Sequence, residues 1–244
     1  MLEYAALRRA GGSQGVSLKR VRALFSGEGG ARRFQDPAPV LAEIARLRLP
    51  ANTRILDFGC GAGQTTLDIA AAYRDAEVVG LDVTPAQIER AERARAASGI
   101  SNVRFLEGDG GDVSGEFDLI LLLAVIQFVA KPRPLLRELR EHLRPGGTLL
   151  FTTVPLPSDE PGHSFTRAVM GRFIPETPTW LTLEAWDELL FDVGFTRTAY
   201  TLNPWRLREL PPQRAETLAE ELRRYGLELE QVEPWIQIAL ITAR

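Results

Sequence analysis

From position 54 onward the chain alternates short apolar runs with segments of helical periodicity. The runs Arg54–Asp57, Glu77–Asp82, Val103–Glu107, Asp118–Leu123 and Thr148–Thr153 have the length and composition of strands. Strands that are apolar on both sides and separated by helices do not pair through tight hairpins. They pair in parallel and need helices on both faces of the sheet to keep water away. The helices between them carry their own signals. Asp36-Pro37 predicts an N-cap and first helical residue, opening a helix through Val40, Leu41, Ile44 and Leu47 that Pro50 ends. Thr84-Pro85-Ala86-Gln87 predicts a capping box with proline at the first position, and Gly99 a C-terminal stop. Leu135, Leu136, Leu139 and Leu143 share one helical face, and Arg144-Pro145-Gly146-Gly147 predicts a turn after it.

The last third breaks this rhythm. Thr182 opens a helix through Trp186, Leu189, Leu190 and Val193 that Gly194 stops. A strand from Phe195 to about Leu202 follows, then a helix over Glu216–Tyr225 and a final strand over Trp235–Thr242. Two closing strands without full strand-helix-strand spacing predict an antiparallel addition at one edge, for seven strands in all. Length fits this plan: 244 residues suffice for one α/β domain with additions.

Composition excludes several classes. The single cysteine, Cys60, rules out an intrachain disulfide framework and a thiolate metal cluster. Two histidines, His142 and His163, argue against a His-rich metal site, so no metal is expected. The longest apolar stretch, Leu119 to Ile126, is too short to span a bilayer. The first residues lack an apolar core of signal-peptide length, and a cytoplasmic address is the expectation. A net charge of −3 is not that of a wholly nucleic-acid-binding surface. Residues 1–35 differ, being glycine-rich with a net charge of +5. They read either as a solvated arm packed on the domain, or as a lid or patch that attracts an anionic substrate.

The sequence ILDFGCGAGQTT places Gly59, Gly61 and Gly63 directly after the first strand. Glycine lets the backbone turn sharply and approach a ligand closely, and the next helix presents free N–H groups there. Three glycines at fixed spacing arise by chance in about one chain in ten of this length, so the loop alone decides little. Asp82, 19 residues after Gly63 and at the end of the second strand, can accept both ribose hydroxyls of a nucleoside. A dinucleotide fingerprint would need glycine at position 64, which is glutamine. Asp57, just before the turn, suits an amino group and would repel a pyrophosphate.

Taken in order, Asp57-x-Gly59-x-Gly61-x-Gly63, Gly80-Leu81-Asp82, Glu107-Gly108-Asp109, Phe117-Asp118-Leu119-Ile120 and Leu143-Arg144-Pro145-Gly146-Gly147 resemble class I S-adenosylmethionine-dependent methyltransferases. The resemblance covers about 36 to 195 and is nearest the small-molecule group that includes ubiquinone and menaquinone biosynthesis enzymes. It implies a Rossmann-like seven-stranded sheet over 36–244, with a cap segment inserted at about 155–181. It implies S-adenosyl-L-methionine as donor and S-adenosyl-L-homocysteine as product. Gly59, Cys60 and Gly61 would line the methionine moiety, with Asp57 supporting the loop and the amino group. Asp82 would bind the ribose, Val83 would pack on the adenine, and Asp109 and the Gly110 N–H would meet the adenine edge. Leu123 would border the methionine part. Asp109 could equally cap its own turn. Asp118 reads as a structural acceptor at the start of its strand, and Cys60 as a small buried filler.

The acceptor is less legible. Methyl transfer mainly requires alignment and exclusion of water; a base is needed only where the acceptor must lose a proton. His163 is a candidate base or substrate contact, or an exposed loop histidine. Gln127 stands where related small-molecule enzymes often carry histidine; it can orient a substrate but not act as a base. The Asn/Asp-Pro-Pro-aromatic signature of amino-group methyltransferases acting on DNA bases or protein glutamine is absent. Phe165, Met170, Phe173 and Trp180 read mostly as packing for the cap, with some suited to an apolar or aromatic acceptor. The reading is a small-molecule methyltransferase with oxygen as the preferred acceptor atom. Two alternatives remain: an RNA-nucleotide methyltransferase using the basic arm, and a non-catalytic S-adenosylmethionine-binding protein.

Overall fold

The structure, a computed structural model, describes residues 37–109, 115–173 and 179–244. The arm at 1–35, the N-cap expected at Asp36, and Gly110 lie outside the described residues. Seven strands form one sheet in the order β3-β2-β1-β4-β5-β7-β6. They are β1 (Arg54–Phe58), β2 (Glu77–Asp82), β3 (Val103–Glu107), β4 (Phe117–Leu122), β5 (Leu143–Thr153), β6 (Thr198–Pro204) and β7 (Gln237–Ala243). The first five pair in parallel. Only β7 runs against its neighbours; it lies between β5 and β6 and pairs antiparallel with both. The antiparallel addition at one edge is therefore a single reversed strand, and β6 beyond it again runs with the rest.

Side chains alternate across this sheet into two cores. On one face Ile55, Val78, Val103, Leu119, Leu121 and Leu150 meet α1 (Pro37–Leu47), α2 (Gln64–Ala72) and α3 (Pro85–Ser98). On the other, Leu56, Val79, Ile120, Leu122 and Phe151 meet α4 (Pro132–Glu141) and α6 (Leu183–Asp192). Trp186 of α6 is fully buried there, its ring 5.1 Å from that of Phe151. This double cover lets the strands be apolar on both sides.

Local expectations met three corrections. Thr84 is the N-cap of α3, but its side chain makes no capping bond. Its backbone N–H instead donates to Asp82 Oδ1 at 2.8 Å, which fixes the chain entry without a hydroxyl cap. Arg144–Gly147 does not end an element: β5 runs from Leu143, pairs Leu143 with Phe117, and resumes at Thr148 opposite Leu119 after an irregularity. Gly146, at φ 80°, absorbs the extra residues. Phe195 precedes β6, and is buried against α6 and the sheet while the ladder starts at Thr198. At the amino end of the sheet, Asp118 Oδ2 accepts from the Arg54 N–H at 2.7 Å and pairs with Arg144.

A third core stands apart from the sheet faces. Here α5 (Gly162–Phe173) packs on α7 (Pro212–Tyr225) and the short α8 (Leu229–Val232), burying Phe165, Val169, Met170, Leu218, Val232 and Ile236. Residues 155–181 thus supply one helix of this unit, and the connection between β6 and β7 supplies the others. Arg172 of α5 joins them by bonds to Glu220 at 2.6 Å and Glu221 at 3.0 Å. No described helix is long and apolar enough to cross a membrane.

Phe165 is fully buried, with Tyr225 edge-on at 5.5 Å and Trp235 at 6.0 Å. Phe165→Ala should cost about 3–5 kcal/mol in denaturant unfolding. A loss below about 1 kcal/mol would mean that this third core is not folded together with the sheet.

Candidate functional site

Asp57, next to last in β1, lies inside the protein, 2% exposed. The Thr66 hydroxyl, in the first turn of α2, donates to its Oδ2 at 2.6 Å. Its other oxygen, Oδ1, is buried and has no partner among the described residues. Burial pushes the carboxyl up to about 6, with the Thr66 bond pulling down and the neighbouring Asp82 charge adding to the rise. An orphaned carboxylate oxygen is costly to bury unless a donor, best a cationic one, completes it.

The loop that follows is laced to β2. Gly59 and Cys60 both donate their N–H to the Leu81 carbonyl, at 2.7 and 2.9 Å. Gly61 donates to Asp82 Oδ2 at 2.9 Å. Gly59 sits at φ 81°, and a Cβ there would come within 2.4 Å of Val125 Cγ2, so no other residue fits. Gly63, at φ 77°, caps α2 without a side-chain bond and leaves the first-turn N–H groups of that helix uncapped by a side chain. Burial pushes the Cys60 thiol well above its ordinary value, and Asp57 and Asp82 add to this, so it stays protonated as a filler beneath the loop.

The other strand ends join the same place. Gly108 donates to the Asp82 carbonyl at 3.0 Å, which hangs the turn carrying Asp109 on the end of β2. Val83 is half-buried between Asp82 and α3. Half-buried Leu123 follows β4, packed toward the α1–α3 face. Ala124 then takes φ 57°, and its N–H donates to Thr152 Oγ1 at 2.8 Å. A 3-10 turn over Ile126–Phe128 carries Gln127, 9% exposed, whose Oε1 is buried without a partner among the described residues.

The structure therefore brings Asp57, Gly59, Cys60, Gly61, Asp82 and Asp109 together at the carboxyl ends of β1–β3, with Leu123 and Gln127 following β4. The contacts of His163 lie elsewhere. It stands in the first turn of α5, with Nδ1 3.1 Å from the Pro157 carbonyl and its N–H on Asp159. The carbonyl can only accept, so Nδ1 is the donor in this bond. It is a half-buried helix residue and not an exposed loop histidine. Sequence reasoning missed Thr66, Ala124, Val125 and Thr152. Thr66, in the first turn of α2 right after the glycine loop, carried a readable signal; the other three depend on contacts between strands.

The donor set fits a ligand with a cationic amine at one end and a nucleoside at the other. Asp57 Oδ1 awaits an ammonium donor, and each Asp82 oxygen, holding one N–H, keeps a lone pair for a ribose hydroxyl. An acid before a glycine turn, with a second acid closing the next strand, at the carboxyl ends of a mostly parallel sheet defines a class I S-adenosylmethionine-dependent methyltransferase domain. The comparisons agree. The family described as "Methyltransferase domain" matches residues 49–183, more than half of the chain, and the chain belongs to that family. It is 34% identical to a trans-aconitate 2-methyltransferase of Deinococcus radiodurans, over 59% of this chain and 55% of that protein. It is 40% identical to the tRNA 5-carboxymethoxyuridine methyltransferase of Escherichia coli K12, over 48% of this chain and 44% of that protein. The chain thus spans about half the length of these relatives. In fold it resembles an S-adenosylmethionine-dependent methyltransferase from Thiobacillus denitrificans in complex with S-adenosyl-L-homocysteine. That match has a TM-score of 0.61 at 22% identity, over 93% of this chain and 98% of that one.

Asp57 gives a pH signature. Its carboxyl is raised in the fold from 3.8 to about 6, so ionising it costs the folded state of order 3 kcal/mol. That disadvantage is absent below about pH 4 and complete above about pH 6. Asp57→Asn should therefore melt higher than the parent without ligand at pH 8, with the gap closing toward pH 4. A gap independent of pH would contradict the buried charge.

Proposed function

We propose that this protein transfers a methyl group from S-adenosylmethionine to a carboxylate oxygen of a small acid. The carrying observation is Gln127, a neutral amide buried in the turn after β4 that can donate from its Nε2 but cannot take up a proton as a base. A carboxylate is already deprotonated at neutral pH and needs alignment, not a base. The two curated relatives support this, since each is named for an acceptor that bears a carboxyl group.

When bound, S-adenosylmethionine supplies a methyl group on sulfonium that needs no further activation. In this reading Asp57 Oδ1 accepts from the amino group of the donor, while Gly59, Cys60 and Gly61 line its methionine part. Asp82 receives the ribose hydroxyls, Val83 packs on the adenine, and Asp109 with the Gly110 N–H meets its edge. Leu123 borders the methionine portion. Gln127 hydrogen-bonds the acceptor, and the core built on α5 and α7 keeps water from it. In this reading His163 would serve as the base for a hydroxyl acceptor and as a mere contact for a carboxylate.

A second reading places the same carboxylate on RNA. The relative named for a tRNA nucleoside favours it, as does the net charge of +5 in residues 1–35.

Transfer of labelled methyl from S-adenosylmethionine should be assayed on trans-aconitate and other di- and tricarboxylates, on phenols, and on total tRNA. The proposal expects base-labile esters of a small acid; labelled phenol ethers would refute it, and labelled tRNA would select the second reading. With the working acceptor, His163→Gln should change kcat less than about fivefold if the acceptor is a carboxylate, against about 10²–10⁴-fold for a hydroxyl. Asp82→Ala should weaken S-adenosylhomocysteine binding by more than about tenfold in calorimetry, because it removes the ribose acceptor and frees the Gly61 N–H. Unchanged affinity would remove Asp82 from the donor site.

A further inference from the structure

β4 and β5 stay in register to the pair Leu122 and Phe151. Beyond it the chain leaves the sheet abruptly. Ala124 takes φ 57°, a left-handed conformation strained for any residue with a Cβ. Its N–H, turned out of the ladder, is caught by the hydroxyl of Thr152, the β5 residue after Phe151, at 2.8 Å. Thr152 is itself only 2% exposed. The strained residue leads directly into Val125, whose Cγ2 fills the space that a Cβ on Gly59 would need, 2.4 Å from that position. Val125 also anchors the turn carrying Gln127, its carbonyl accepting from Phe128 at 2.9 Å. A line of contacts thus crosses three adjacent strands, from Thr152 on β5 through Ala124 and Val125 after β4 to Gly59 after β1.

We propose that Thr152 is a positioning residue: its hydroxyl latches Ala124 in the left-handed conformation that seats Val125 on the glycine loop. A regular continuation of β4 would present this N–H to a backbone carbonyl. Here a side-chain oxygen takes that role, and it can hold the N–H at a backbone angle that no ladder permits. The latch fixes the wall of the donor site and the start of the acceptor turn with one bond. The inference rests on the glycine loop holding S-adenosylmethionine, and it does not depend on which acceptor is methylated.

The test is calorimetric titration with S-adenosylhomocysteine, together with hydrogen exchange over 123–129, for Thr152→Val, Thr152→Ser, Ala124→Gly and the pair Thr152→Val with Ala124→Gly. Thr152→Val keeps the shape, lacks the acceptor, and should weaken binding about three- to tenfold while exchange over 123–129 speeds up. Thr152→Ser, which keeps the hydroxyl, should stay within about twofold of the parent. In the Ala124→Gly background, where glycine takes the left-handed conformation without help, adding Thr152→Val should cost less than about twofold. If Thr152→Val lowers the melting temperature but leaves affinity and exchange unchanged, Thr152 is structural only and the proposal falls. It falls equally if the two losses simply add, or if serine fails to rescue. A parent protein that does not bind S-adenosylhomocysteine overturns the donor assignment itself, an outcome separate from the others.

Discussion

The site depends on how the end of β1 is tied to the end of β2. Two N–H groups of the glycine loop share the Leu81 carbonyl, and a third reaches the Asp82 carboxylate. These bonds hold the loop in left-handed turns while its faces stay open to a ligand. Burial is the main reason that Asp57 holds its proton more tightly, and the Asp82 charge that these bonds keep nearby adds to it. Such a like-charge pair is unfavourable in the empty fold and becomes favourable when a cation arrives. The local instability is thus part of the recognition, in keeping with strain stored at functional sites.

The sheet then distributes tasks by strand. The ends of β1, β2 and β3 carry the residues suited to the donor, while the ends of β4 and β5 lead toward Gln127 and the third core. That core joins the sheet through few bonds, among them Thr179 Oγ1 to the Val129 carbonyl at 2.6 Å and the Leu156 N–H to the Leu181 carbonyl at 2.9 Å. The first of these bonds holds the residue that directly follows the turn bearing Gln127. A change in the third core can therefore reach the acceptor turn through Val129, while the glycine loop keeps its own bonds to β2.

Much of this could be read from the chain. The central parallel strands announced themselves because β1, β2 and β4 are buried on both faces along most of their length and so are largely apolar; Asp57, the glycines and Asp82 followed from their spacing. What could not be read depends on partners distant in sequence. The Thr84 cap failed because the Asp82 carboxylate, held in place by the sheet, offers a better acceptor for the incoming backbone. The turn at Arg144–Gly147 proved to be a bulge because Phe117 lies opposite Leu143 and keeps the ladder going. The left-handed Ala124 leaves no trace in composition, since its conformation is imposed by a hydroxyl 28 residues away. The cap segment with Phe165, Met170, Phe173 and Trp180 and the helix over Glu216–Tyr225 were each legible, but not that they pack on one another to form the third core.

The reversed strand β7 has a consequence for the order in which the molecule can assemble. Until residues 237–243 arrive, β5 presents an open edge and β6 has no neighbour to pair with, because β7 lies between them. On a ribosome, β1 to β5 can form their parallel ladders while the later chain is still being made. Then β6 and the helices that follow it must wait. Closure comes in one late step, when β7 enters antiparallel, caps the β5 edge and recruits β6, drawing the two halves of the third core together. Such distant pairings are slow to form, and the uncovered β5 edge in the interval is the place where a nascent molecule is most exposed to pairing with the wrong partner.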